Sequence, residues 1–207
     1  MQDYGALVTA LEDCVARARR EPLTLGDVFD AIGKSSYSFI CVVLTLPFLQ
    51  PISLGPLATV GGLTFAALGW QRLRGYPSPL LPARVRATQM NAKTWDVLLG
   101  VCLKIMRFCK RFTRPRFEAW VTGDFGRQVF GWISIPAGLL MAIPFFGLPF
   151  NNLLPALAIL FVCIGELEQD GVMVFIAIGW LILTVIYFVF IFAALWFLGE
   201  QALTYFR

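Results

Sequence analysis

Apolar residues fall into five stretches along this chain, divided by short polar or proline-rich punctuation. Ser35 to Leu46 is apolar after its first turn and stops at Pro47. Leu57 to Trp70 resumes it after a run holding Pro47, Gln50, Pro51, Gly55 and Pro56. Val129 to Ile143 stops at Pro144, and Leu153 to Gly165 resumes after Pro149-Phe150-Asn151-Asn152. Each of these four pieces is roughly 12–15 residues, or about 18–22 Å of helix. A hydrocarbon core of about 30 Å needs about 20 residues. The four therefore predict half-helices that enter a membrane, turn near its middle, and leave on the same side. Fully spanning helices in an inverted repeat are the alternative. Broken backbone at membrane depth is tolerated only where protein or a water-filled cavity covers it. The fifth stretch, Val172 to Leu198, is uncharged and about 27 residues long, enough to span with some tilt.

Ahead of these stretches, Leu7, Leu11, Cys14, Val15 and Ala18 recur at helical spacing and predict an amphipathic helix. Thr24-Leu25-Gly26-Asp27 has the form of a helix start, and Gly33 suits its end. Asp3, Glu12 and Asp13 interrupt the first twenty residues, so no signal peptide is expected there. The predicted organisation is a single membrane domain. Residues 1–33 form N-terminal amphipathic helices, 34–75 a first hairpin and 76–128 a connection. Residues 129–171 form a second hairpin and 172–198 a transmembrane helix. The hairpins read as one unit used twice. Gly26-Asp27 and Gly123-Asp124 lie 97 residues apart, as do Pro47-Phe48 and Pro144-Phe145. After a one-residue slip, Gly69 and Gly165 lie 96 apart, as do Gly75 and Gly171. Paired, proline-interrupted hydrophobic segments point to a midplane binding site in transporters.

Composition turns this pattern into a fold class. Apolar residues make up 58% of the 207 and charged residues 14%, with mean hydropathy +0.72. A soluble chain of this size has too little interior to hide that much apolar surface. The expectation is an all-α integral membrane protein. The formal charge of +4 conceals a division. Residues 71–128 carry twelve Lys and Arg against three acids, a net of +9, while the segments before and after net −2 and −3. The basic connection should be cytoplasmic, with the N-terminus beside it and the C-terminus across the membrane. Within it, Leu98 to Phe112 sets Lys104, Arg107 and Arg111 against Leu99, Cys102, Leu103, Met106 and Phe112. That is the pattern of a helix lying on anionic lipid. The aliphatic face and flanking hairpins argue against nucleic acid as the partner.

Candidate chemistry is sparse. There is no histidine, which excludes Ser-His-Asp triads and His-based zinc or haem sites. The five cysteines (Cys14, Cys41, Cys102, Cys109, Cys163) show no CxxC spacing and read as buried thiols. No catalytic residue, metal or cofactor is expected, and no enzyme. Asn151 and Asn152 sit in the second turn at predicted membrane depth, where amides must find partners. They either cap the half-helix beginning at Leu153 or line a polar path, with Gln50 as their counterpart in the first turn. Pro47, Pro144 and Pro155 shape that path. Glu166, Glu168 and Asp170 form an acidic knot at the foot of the second hairpin. The repeat alignment sets Glu168 opposite Arg72 and Asp170 opposite Arg74. Three readings stay open: salt bridges clamping the hairpins or two protomers, a solvated turn, or a carboxylate that takes up protons.

Several of these stretches together resemble a known family. They are Leu25-Gly26-Asp27 through Gly33; Leu46-Pro47 with Pro51; Gln71, Gly75 and Leu81-Pro82; Arg114-Pro115-Arg116; and Ile143-Pro144 through Asn151, Pro155-Ala156, Gly165 and Asp170-Gly171. The chain is similar in them to the ExoD family of bacterial membrane proteins, over about residues 23–172. Leu80 stands where that pattern has Trp before Leu-Pro. The resemblance implies an inner-membrane protein linked to exopolysaccharide production or envelope homeostasis, and no particular reaction. With the broken helices, the reading is a small transporter-like homodimer moving an ion or small solute between paired hairpin tips. A non-catalytic membrane scaffold for polysaccharide assembly is the alternative.

Overall fold

A computed structural model describes residues 4–18, 21, 23–52, 54–80, 83–145 and 148–205. Helix α1 is Tyr4–Ala18. The capping box then forms: the Asp27 amide donates to Thr24 Oγ1 at 3.2 Å, and the Thr24 amide donates to Asp27 Oδ2 at 2.9 Å. The Thr24 hydrogen bonds hold the Asp27 carboxyl below its ordinary range. They start α2, Leu25–Ile32, which ends where Gly33 takes φ 60°. A short ladder pairs β1, Leu23–Thr24, antiparallel with β2, Gln89–Met90. Two-residue strands are too short to leave an alternating signature in sequence.

Helix α3, Ser36–Thr45, runs through a 3₁₀ turn at Leu46–Phe48. Gly55 at φ 57° and Pro56 at the first helical position then launch α4, Pro56–Leu73. The connection holds α5, Ala83–Arg86, and α6, Ala92–Lys110. A second pair follows, α7, Gly123–Ala142, and α8, Leu153–Glu168, and then α9, Gly171–Tyr205. Helices α4, α7, α8 and α9 outrun their apolar stretches. Helix α4 has 18 residues and α7 has 20, because polar residues (Gln71 and Arg72 in one, Gly123 to Gln128 in the other) continue the backbone ladder past the hydrophobic pattern. Helix α6 begins six residues before the predicted amphipathic segment. Its Trp95 is fully buried and donates to the Leu23 carbonyl at 3.2 Å, and Arg107 meets Glu12 of α1 at 3.5 Å. The side chains of Leu99, Cys102, Leu103 and Met106 lie outside the described residues.

Small residues decide how the helices cross. A Cβ on Gly62 would lie 2.4 Å from the Gly138 carbonyl oxygen, and one on Gly138 would lie 2.5 Å from the Gly62 oxygen. Farther down, a Cβ on Gly69 would lie 3.1 Å from Ile135 Cγ1, and one on Gly131 would lie 2.2 Å from Leu73 Cγ. The pairs run 62 to 138, 69 to 135 and 73 to 131, so α4 and α7 are antiparallel with backbones in contact. Helix α3 packs on α8 in the same sense, with Ser38 against Glu166. Each hairpin's first helix thus lies against the other hairpin's second helix. Both turns come to one end, where the Phe150 amide donates to the Pro51 carbonyl at 3.4 Å.

Helix α9 starts beside the opposite end, the feet, and rises to the turns. There Tyr187 donates its hydroxyl to the Pro149 carbonyl, and the Phe188 ring stands 5.9 Å from Phe145. That climb takes about 24 Å at 1.5 Å per residue, and the helix continues beyond. Among the described helices, α9 is long and apolar enough to cross a membrane, over Gly171–Leu198. Only 28% of its apolar window is buried, unlike the core helix of a soluble protein. Phe190, Trp196 and Phe197 stand exposed above the turns.

Candidate functional site

At the feet, buried charge joins three helices. Arg72 of α4 forms an ion pair with Glu166 of α8, and Ser38 of α3 donates its hydroxyl to the same carboxylate. The Arg72 and Glu166 side chains are 11% and 14% exposed. The guanidinium lies 5.3 Å over the Tyr37 ring, and the Tyr37 hydroxyl donates to the Ser78 carbonyl at 3.1 Å. Next to Arg72, Gln71 holds the following loop by its amide. The Leu80 amide donates to Gln71 Oε1 at 2.7 Å, and Gln71 Nε2 donates to the Leu80 carbonyl at 3.3 Å. The thiols of Cys41 and Cys163 also meet across α3 and α8.

This pairing corrects the one read from the repeat alignment. Arg72 meets Glu166, not Glu168, and Asp170 meets Arg116, not Arg74. Two positions on a helix differ by about 200° of rotation, so Glu166 and Glu168 cannot both face α4. Glu166 continues the buried row Ile159 and Cys163 at spacings of four and three; that spacing was the available signal for it. Arg74 instead lies 5.2 Å over the exposed Trp70 ring. Asp170 is fully buried and accepts from the Arg114 and Val172 amides, each at 3.0 Å, with Arg116 Nη2 at 3.4 Å. The Gly171 amide donates to the Arg116 carbonyl at 2.7 Å, and a Cβ on Gly171 would lie 2.6 Å from the Phe117 oxygen. The Arg114-Pro115-Arg116 and Asp170-Gly171 elements, far apart in sequence, thus form one corner beneath α9.

Glu168 turns away toward that corner, where Thr113 Oγ1 reaches its Oε2 at 3.5 Å. Burial pushes its carboxyl up from 4.5 to about 7, against the opposing pulls of Lys110 and the Thr113 hydroxyl. A raised folded-state value means the folded protein keeps a proton that the unfolded chain has released. Stability should therefore fall as pH rises from about 4.5 to 7. Thermal melts across that window should show this slope, and Glu168→Gln should flatten it. An unchanged slope in the variant would locate the titrating group elsewhere.

At the turns, the predicted residues divide. Asn151, Asn152 and Pro155 are buried, whereas Gln50, Pro47 and Pro144 face outward. Asn151 is 3% exposed and donates Nδ2 to the Phe145 carbonyl at 2.9 Å, which fastens the turn across the break. Its Oδ1 makes no hydrogen bond to any described residue. Asn152 is 1% exposed, and neither its Oδ1 nor its Nδ2 has a described partner. It stands at the cap position of α8 without making a side-chain capping bond. The capping role considered for this residue is therefore unfilled, and three amide positions are left unmatched at the junction of the two turns.

Fold and site together define a helical protein of two proline-broken hairpins set side by side, with both turns at one end, beside one long apolar helix. Residues 7–190 match the family described as "Exopolysaccharide synthesis, ExoD", so the chain belongs to the ExoD family. It is 28% identical over 187 residues to Protein ExoD of Rhizobium meliloti (strain 1021), across 88% of this chain and 76% of that protein. No solved structure matches it.

Proposed function

We propose that this protein is a small transporter-like component of a bacterial inner membrane that moves a solute past the paired hairpin tips in support of exopolysaccharide synthesis. The observation that carries the reading is Asn152, an amide buried to 1% exposure with both polar atoms unmatched among the described residues, where two broken helices meet. Polar groups left open at such depth cost stability, and intramembrane polar residues mark substrate paths. Both hairpins enter from the cytoplasmic face in this account, so the N-terminus and the basic connection are cytoplasmic and α9 alone crosses. A uniform 97-residue offset, without the one-residue slip, supports a true repeat. It carries the Ser38–Glu166 contact onto Ile135–Gly69, where a Cβ on Gly69 would lie 3.1 Å from Ile135 Cγ1. It likewise carries Cys41–Cys163 onto Gly138–Ala66, where a Cβ on Gly138 would lie 2.7 Å from the Ala66 amide.

A homodimer in the bilayer would cover part of the exposed apolar faces of α4, α7 and α9, among them Val60, Leu63, Trp132 and Phe190. Anionic lipid is the proposed partner of the basic connection. A second reading, a membrane scaffold without transport, is favoured by α6, where Lys104, Arg107 and Lys110 stand exposed. Purified protein in liposomes separates the two. Solute flux above that of protein-free vesicles, reduced at least several-fold by Asn151→Ala, is the expected result. Absence of any flux under every gradient tried would leave the scaffold.

A further inference from the structure

The geometry points to a neutral, hydrogen-bonding solute, not an ion, as the ligand of the Asn151–Asn152 site at the hairpin tips. This rests on the transporter reading and narrows it.

The absence of charge at the tips disfavours an ion. The turns, residues 46–55 and 143–152, contain no Asp, Glu, Lys or Arg. Along α8 the first charged group is Glu166, about 20 Å from Asn152 at the usual helical rise. That carboxylate is already engaged by Arg72 and Ser38. Lys93 of α6 shares a surface groove with Leu46, but its own side chain is exposed. A bare ion at the tips would shed its hydration with no countercharge in the turns, a cost that membrane interiors meet by pairing. The helix ends do not substitute for one. Helices α4 and α8 begin at the tips while α3 and α7 end there, so two positive and two negative dipole ends converge and offset one another.

The unmatched hydrogen-bonding groups favour a neutral ligand as well. Asn152 brings an NH₂ donor and a carbonyl acceptor, and Asn151 a further acceptor, all without a described partner. A hydroxyl or a neutral amide satisfies that mixture because it donates and accepts at once. A metal cation would leave the NH₂ group unmatched, and an anion would face two carbonyl oxygens. The ligand class that fits is therefore a small uncharged polyol or urea-like molecule.

The experiment uses the intact protein in liposomes with three readouts. Light scattering after a glycerol or urea gradient reports neutral solute entry. A pH-sensitive dye under a proton or potassium gradient reports ion flux. Thermal melting in detergent reports stability. Wild-type protein should speed glycerol or urea entry several-fold over protein-free vesicles and leave ion flux at the protein-free level. Asn152→Leu should abolish the neutral flux. Its melting temperature should hold or rise by about 2–4 °C, because an unmatched buried amide is replaced by an apolar group of similar size. Ion flux that depends on Asn152, with no neutral flux, overturns the ligand class and leaves the transporter standing. No flux of either kind from the wild type overturns both. A lower melting temperature in Asn152→Leu overturns the site by showing that the amide serves the fold.

Discussion

Glu166→Ala should destabilise the protein by about 3–5 kcal/mol, the usual consequence of stripping a buried charge of its partner. Arg72 would remain 11% exposed with its guanidinium facing the Tyr37 ring and no carboxylate, and Ser38 would lose its acceptor. Replacing both partners, as Arg72→Met with Glu166→Met, should return most of that loss, since an apolar pair of similar volume avoids desolvating two charges. Denaturant or thermal unfolding in detergent checks both statements. A control follows from the corrected pairing. Arg74→Asp combined with Asp170→Arg should not recover what Asp170→Arg loses alone, because Asp170 bonds to Arg114, Arg116 and Val172 and Arg74 stacks on Trp70. Recovery in that double variant would reinstate the pairing predicted from the repeat.

The second large effect is steric. Gly62→Ala puts a methyl group 2.4 Å from the Gly138 oxygen and 2.6 Å from the Ala142 amide, both backbone atoms that a rotamer change cannot move. Gly138→Ala meets the Gly62 oxygen at 2.5 Å and the Ala66 amide at 2.7 Å. Each should cost about 1–3 kcal/mol as α4 and α7 are forced apart. The two changes occupy one crossing, so the double variant should cost less than the sum of the singles. Gly100→Ala, inside α6 with open space around the new Cβ, is the matched control and should hold or raise the melting temperature, since Ala favours a helix over Gly. A gain at Gly62 matching that at Gly100 would mean that helix propensity, not the crossing, sets the effect.

Much of this architecture was legible because hydrophobic runs and prolines are local signals. Pro47, Pro56 and Pro144 marked the turns, Thr24 and Asp27 marked the start of α2, and the uncharged run beyond Val172 marked α9. The helix lengths were less legible, because α4 and α7 continue into polar residues where hydrophobicity no longer reports helix. Which helix packs on which was not legible at all. The exchange of α3 onto α8 and α4 onto α7 depends on contacts between Gly62 and Gly138 that have no counterpart in local pattern. The charge pairs show the same limit. An alignment of weak repeats placed Arg72 within two residues of its partner, and two residues on a helix is a half-turn. Asn151 and Asn152 were identified from position and chemistry. That their amides are unmatched follows only from the way the two turns close on each other.

In the proposed topology two hairpins enter from one face and only α9 crosses. Single cysteines tested with a charged, membrane-impermeant maleimide, in a background where the native cysteines are replaced, address it most directly. Ala31 and Ala87 are exposed near the feet on either side of the first hairpin, Ile52 is exposed at a turn, and Gln201 lies beyond the apolar span of α9. In that topology Ala31→Cys and Ala87→Cys label only from the cytoplasmic side, Gln201→Cys only from the opposite side, and Ile52→Cys from neither. Labelling of Ala31→Cys and Ala87→Cys from opposite faces, of Ala87→Cys and Gln201→Cys from the same face, or full labelling of Ile52→Cys from outside, would contradict it.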